Sequence, residues 1–178
     1  PRAPQRGAAP RRDPRGVQVT RGRAVGIDLG TSNSVIAVID ADGAPRVLTT
    51  EEGSTTLPSV VWYAPDGIVI GEAAREGLDC APDVTIFAAK RLLGRRFDHP
   101  DVRRLARVVP YELVESPNGE CWIRLAPGKN VSPEEVLGLI LRELTAIGER
   151  FYKEPVAGAV ITVPAWYDAA QRQATKDA

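Results

Sequence analysis

The chain has 178 residues, 43% hydrophobic and 26% charged, the composition of a soluble globular protein long enough to bury one sizeable core. No run approaches the roughly 18 consecutive apolar residues of a membrane span, and no apolar stretch near the start suggests a secretory signal, so a cytoplasmic protein without a membrane partner is expected. The formal net charge of zero hides a division: residues 1–23 carry seven arginines and one aspartate, net +6, and residues 24–178 sum to −6.

The leading PRAPQRGAAPRRDPRG is rich in Pro, Gly and Arg and has almost nothing to bury, so residues 1–23 are expected to be a disordered, solvated tail. Its prolines argue against the amphipathic helix of a transit peptide, and no specific nucleic-acid partner is assigned to it. Cys80 and Cys121 lie outside any metal-ligand or disulfide spacing and read as reduced, partly buried thiols. His99, the single histidine, has no second ligand near it in sequence and receives no chemical role.

From Ala24 the pattern is an antiparallel meander, with strands at Ala24–Leu29, Ser34–Asp40 and Arg46–Thr49. Between the first two lies Asp28-Leu29-Gly30-Thr31-Ser32-Asn33. A carboxylate ending a buried strand needs a cation or hydrogen bonds to stay ionised, and Gly30 lets the backbone approach an anion while Thr31, Ser32 and Asn33 add donors. These residues suit a cradle for phosphate and a metal. They suit equally a hairpin turn whose polar groups satisfy their own backbone.

Leu57–Tyr63 reads as a strand, Gly71–Ala81 and Val84–Leu93 as helices, the second stopped by Gly94. A short helix is expected over 101–108, then a hairpin of Tyr111–Glu115 with Cys121–Leu125 around Pro117-Asn118-Gly119. Ser132, Pro133 and Glu135 announce a capped helix whose Val136, Leu137, Ile140, Leu141, Leu144 and Ile147 recur on one face. Val156–Val163 is a nearly unbroken apolar run, expected to be a strand buried on both faces, and Asp168 with Gln171 starts a last helix. Buried strands alternating with helices beside a meander indicate a mixed α/β fold. With no methionine, position 1 included, and a last helix that runs to Ala178 without a stop signal, the sequence is expected to be part of a longer chain.

Three separated segments, Ile27–Ser34, Phe87–Arg95 (FAAKRLLGR) and Val160–Ala178 (VITVPAWYDAAQRQATKDA), together resemble the heat-shock protein 70 (DnaK) chaperone family in order and spacing. The likeness runs from about Ala24 to Ala178 and covers the first lobe of that family's ATPase domain. It implies an actin-like ATPase lobe of ribonuclease H-like type, with a mixed sheet flanked by helices and an inserted α+β upper subdomain. Residues 24–56 and 130–178 would form the base subdomain and 57–129 the upper one. ATP or ADP with Mg2+ would be the cofactors, with K+ as a further candidate ion. The resemblance implies that Asp28 holds magnesium through water, that Gly30, Thr31, Ser32 and Asn33 line the β- and γ-phosphates, and that Lys90 reaches the γ-phosphate as the catalytic cation. Read by itself, Lys90 is one charge in the basic cluster Lys90-Arg91-Arg95-Arg96, which a helix dipole would favour on a solvated face.

Pro164 and Arg172 match a proline and an arginine that, in the family, couple nucleotide state to the substrate-binding domain; otherwise Pro164 ends a strand and Arg172 decorates a first helical turn. Ser32 stands where the family commonly has a second threonine, and Trp166-Tyr167 where it has tyrosine and phenylalanine. The family's catalytic glutamate, second phosphate loop, adenosine pocket and peptide-binding domain would lie beyond Ala178. The implied function is an ATP-hydrolysing chaperone that assists protein folding and the stress response, with unfolded clients, a J-domain co-chaperone and a nucleotide-exchange factor as partners. A non-catalytic interaction or structural module is the alternative. A sugar kinase of the same superfamily fits less well, because Lys90 with Arg91 and Gly94 and the Pro164–Ala178 segment point elsewhere.

Overall fold

The computed structural model describes residues 23–178; the expected tail lies outside them except for Arg23, which opens the first strand. Strands β1 (Arg23–Asp28), β2 (Asn33–Ile39) and β3 (Pro45–Val47) form the expected antiparallel meander, with Ile27 opposite Ile36 and Ala37 opposite Val47. The expected strand Leu57–Tyr63 is divided into β4 (Leu57–Pro58), which pairs with β2, and β5 (Val60–Ala64), which turns away into another sheet. Pro58 lacks the N–H that would continue the β2 ladder, and the break frees Ser59 to face the turn after β1. An unanticipated strand β6 (Gly67–Ile70) then pairs back on β5.

The helix expected over Gly71–Ala81 is a 3-10 turn (Ala73–Arg75) followed by α1 (Glu76–Cys80). The helix expected over Val84–Leu93 is absent. Thr85 and Ile86 are β-branched and Phe87 is aromatic, and they form β7 (Thr85–Phe87) along the free edge of β5. Ala88 takes a left-handed conformation (φ 54°), and a single 3-10 turn (Ala89–Arg91) carries Lys90. The cation therefore stands on a tight turn between strand and loop, not at a helix end.

Helix α2 (Pro100–Leu105) is shorter than expected and is capped by His99, whose Nδ1 accepts from the Asp101 N–H at 3.1 Å. The hairpin of β8 (Leu113–Glu115) and β9 (Cys121–Ala126) is as expected, and the Pro127-Gly128 turn adds β10 (Lys129–Val131) to it. Cys121 is buried in this sheet and Cys80 is exposed.

Helix α3 (Pro133–Tyr152) begins at the anticipated capping box: the Glu135 N–H donates to Ser132 Oγ at 3.1 Å and the Ser132 N–H to Glu135 Oε2 at 2.7 Å. Its Val136, Leu137, Ile140, Leu141, Leu144 and Ile147 are buried, and the helix packs on β1 and β2, whose Val25, Ile27, Ile36 and Val38 are buried too. Each such side chain contributes about 1.5–3 kcal/mol on leaving water.

Strand β11 (Val156–Thr162) pairs in parallel with β1, giving the sheet order β11-β1-β2-β3, and α4 (Ala169–Asp177) follows. Ala157–Val160 are exposed and Val160 keeps 71% of its surface, so the expectation of a strand buried on both faces is corrected. An apolar run records a capacity for burial; neighbours decide whether it is used, and among the described residues β11 is the outermost strand.

Burial pushes the Cys121 thiol up to about 12 from 9.0 and the Tyr63 phenol up to about 12 from 10.0. Between about pH 9 and 12 the unfolded chain has lost protons that the folded chain keeps, so stability falls as pH rises through this window. Urea melts at pH 8 and 11 should show a lower midpoint at pH 11, less so for Cys121→Ala. Iodoacetamide at pH 8 should label Cys80 alone until the chain unfolds.

Candidate functional site

The turn Leu29–Asn33 is held from beneath by two buried serines. The Gly30 N–H donates to Ser34 Oγ at 3.1 Å, Ser34 Oγ lies 2.9 Å from Ser59 Oγ, and the Ser59 hydroxyl donates to the Gly30 carbonyl at 2.9 Å. The Ser59 N–H adds a bond to the Ser32 carbonyl at 2.8 Å. Gly30 is required by close approach: a Cβ there would sit 1.9 Å from the Asn33 carbonyl oxygen. Ser34 belongs to the quoted motif without a role having been given to it. Ser59, 25 residues on, carries no sequence signal at all.

Asp28 ends β1 beside this turn. Instead of the burial expected at the end of a buried strand, the residue is exposed and is held by a 2.7 Å hydrogen bond from the Thr162 hydroxyl to Oδ1. Thr162 reaches it because β11 runs parallel to β1 and sets Asp28 against Thr162, a pairing across 134 residues that no local pattern reveals. Among the described residues no three His, Cys, Asp or Glu side chains cluster as a metal cage. A single exposed carboxylate with a free oxygen fits a magnesium ion that keeps most of its waters and takes further ligands from phosphate.

Lys90 reaches this loop from the far side: its Nζ donates to the Leu29 carbonyl, one residue from Asp28 and one from Gly30. Burial lowers its pKa, and the nearby Asp28 carboxylate works against that shift. Asp28, Gly30 and Lys90 are thus brought to one place, with the Thr31, Ser32 and Asn33 side chains at the loop's surface.

Pro164 and Lys90, with Thr31, line a cavity of about 440 Å³ between the Lys90 turn, α2 and the segment after β11. Arg172 lies apart from that cavity. Its Nε donates to the Tyr167 carbonyl at 3.0 Å and its Nη2 to the Ala165 carbonyl at 3.2 Å, while the Tyr167 N–H donates to the Pro164 carbonyl at 3.1 Å. Arg172 therefore clamps the turn that contains Pro164 without touching Lys90. Tyr167, which the resemblance marks only as standing where the family has phenylalanine, is buried beneath Lys90.

A mixed sheet backed by helices is the α/β architecture of an actin-like ATPase lobe. The family described as Hsp70 protein matches residues 24–178. The chain belongs to the Hsp70 family, a family of chaperone-type ATPases that bind nucleotide with Mg2+ and work with client proteins and co-chaperones. No helix among the described residues is long and apolar enough to cross a membrane.

Proposed function

We propose that this chain is the phosphate-handling lobe of a cytoplasmic, DnaK-type chaperone in which ATP binding and hydrolysis switch affinity for unfolded peptides, as part of a stress response. The observation that carries this reading is the reach of the Lys90 ammonium to the Leu29 carbonyl, which sets a cation at the mouth of the Gly30 turn. Residues 24–56 and 130–178 would act as its base and 57–129 as its upper subdomain. A J-domain co-chaperone and a nucleotide-exchange factor would be its partners.

Bound Mg-ATP would supply the transferable phosphoryl group and the metal charge that screens it. Asp28, oriented by Thr162, would hold the metal's waters. Gly30, Thr31, Ser32 and Asn33 would offer backbone and side-chain donors to the β- and γ-phosphates, and the Ser34–Ser59 pair would keep the turn rigid enough to do so. Lys90 would exchange the Leu29 carbonyl for a phosphate oxygen and stabilise charge developing on the γ-phosphoryl. Pro164 and Arg172 would transmit the change, since the turn they hold packs against Lys90 through Tyr167.

Phosphate release by the protein as its gene encodes it, measured with Mg2+, with EDTA, and with K+ exchanged for Na+, tests the reading. Magnesium-dependent turnover stimulated by an unfolded peptide is expected; no turnover under any of these conditions would refute it. Among the described residues Asp28, Ser32 and Asn33 are exposed, so water would weaken the electrostatics of phosphate binding. This favours, for the isolated chain, the second reading of a non-catalytic module, with weak ATP binding and negligible hydrolysis.

A further inference from the structure

We propose that Tyr167 is a positioning residue for Lys90, its ring steering the ammonium toward the phosphate turn; this rests on the reading of Lys90 as the phosphate-facing cation. Tyr167 keeps only 9% of its surface exposed, so its ring is fixed by packing. The Lys90 Nζ lies 5.7 Å from the ring centroid, within the range at which an aromatic face attracts a cation. The Tyr167 hydroxyl lies 3.5 Å from the Lys90 backbone carbonyl. One side chain therefore faces both ends of Lys90, the peptide that anchors it and the charge it presents.

The ring can do this because its own backbone is anchored on both sides. The Tyr167 N–H is bonded to Pro164, its carbonyl accepts from Arg172, and the next residue, Asp168, caps α4 by accepting from the Gln171 N–H at 2.9 Å. The Lys90 turn is docked on the same helix start. Arg95 Nη1 lies 3.9 Å from Asp168 Oδ2, and Gly94 packs so closely that a Cβ on it would come 3.0 Å from the Gln171 backbone. Turn and helix start thus form one packed unit, with Tyr167 as the side chain between them.

A lysine on a four-carbon stem samples many rotamers in the open. Here the stem leaves a turn that would let the ammonium swing into the adjoining cavity, which Lys90 and Tyr167 both line. The electron-rich ring face and the Leu29 carbonyl hold it beside the Gly30 turn, on the Thr31 side of that cavity. Tyr167 acts through Lys90 and touches no reacting atom. Losing the ring should therefore lower kcat, by about 3- to 30-fold for a cation–π contact of ordinary strength, and leave KM for ATP nearly unchanged.

The direct test is the proton spectrum of the lysine side chains in this chain, which has four lysines. Ring current from Tyr167 should move the Lys90 Hε resonance upfield of the other three, assigned by its loss in Lys90→Arg. The shift should persist in Tyr167→Phe and vanish in Tyr167→Leu. In the protein as encoded, Tyr167→Leu should show the fall in kcat and Tyr167→Phe should stay within about twofold of wild type. If Tyr167→Leu loses its cooperative melt, pentafluorophenylalanine at position 167 keeps the shape, inverts the charge of the ring face, and should lower kcat in the same way. An unshifted Lys90 resonance in the wild type, or a wild-type kcat for a folded ring-face variant while Lys90→Ala is inactive, overturns the proposal. A wild-type kcat for Lys90→Ala would instead remove the role of Lys90 itself.

Discussion

Lys90→Ala is expected to lower the kcat of ATP hydrolysis by about 10²–10³-fold in the encoded protein, the usual loss when one preorganised charge partner of a transition state is removed. Nucleotide affinity should change far less, because the Gly30 turn and its serine supports remain. Lys90→Arg should not restore the rate: a planar guanidinium is larger than the ammonium that fits against the Leu29 carbonyl and the Tyr167 ring. Asp28→Ala should behave differently, weakening binding of Mg-ATP while leaving that of metal-free ATP nearly unchanged. Single-turnover phosphate release and calorimetric titration with and without EDTA separate the two effects. Unchanged phosphate release in both variants would remove the roles assigned to these residues.

Gly30→Ala should abolish nucleotide binding and lower stability by about 1–3 kcal/mol. The added Cβ would lie 1.9 Å from the Asn33 carbonyl oxygen, part of the backbone, so no side-chain rotation relieves the clash. The turn must open, and opening it pulls the Gly30 N–H and carbonyl off Ser34 and Ser59, whose hydroxyls are buried and would keep only each other as partners. Gly26→Ala on β1, the strand before the turn, is the control, since its Cβ would meet nothing nearer than the Ala37 carbonyl oxygen at 3.8 Å. Near wild-type melting and binding are expected for Gly26→Ala. Wild-type ATP affinity in Gly30→Ala would show that this turn does not hold phosphate.

The elements most legible in the sequence were those whose signals are local. Ser132 and Glu135 fixed the start of α3 because a capping box is complete within four residues, and the repeat from Val136 to Ile147 fixed its buried face. Alternation and turn chemistry located β1, β2, β8 and β9. Thr85–Phe87 fit a helix in the sequence because a helical spacing of apolar residues and a short buried strand look alike until the edge of β5 is there to receive them. The strands β6 and β10 were too short to stand out before their partners were in place.

The candidate site divides in the same way. Asp28, Gly30 and the hydroxyl-bearing residues after it are contiguous, so their chemistry could be read together, although a hairpin turn remained an equal reading of those residues alone. Family resemblance singled out Lys90, Pro164 and Arg172. The residues that support them are remote in sequence. Thr162 meets Asp28 only through a parallel strand pairing, Ser59 meets Gly30 only because β4 and β5 part between Pro58 and Val60, and Tyr167 meets Lys90 only because α4 begins against Gly94.

The sequence by itself determined the α/β class, the capped helices and the residue types able to hold phosphate and a metal, because caps, periodicity and turn residues act over a few positions. Only the tertiary structure decided that Lys90 leaves a 3-10 turn toward the Leu29 carbonyl, that two buried serines brace the glycine turn, and that β11 keeps an exposed face. The Lys90–Leu29 and Ser59–Gly30 contacts join segments 61 and 29 residues apart, and the exposure of β11 depends on which segments pack beside it. Such contacts depend on how the elements pack, with α3 lying against β1, β2 and the Lys90 turn at once.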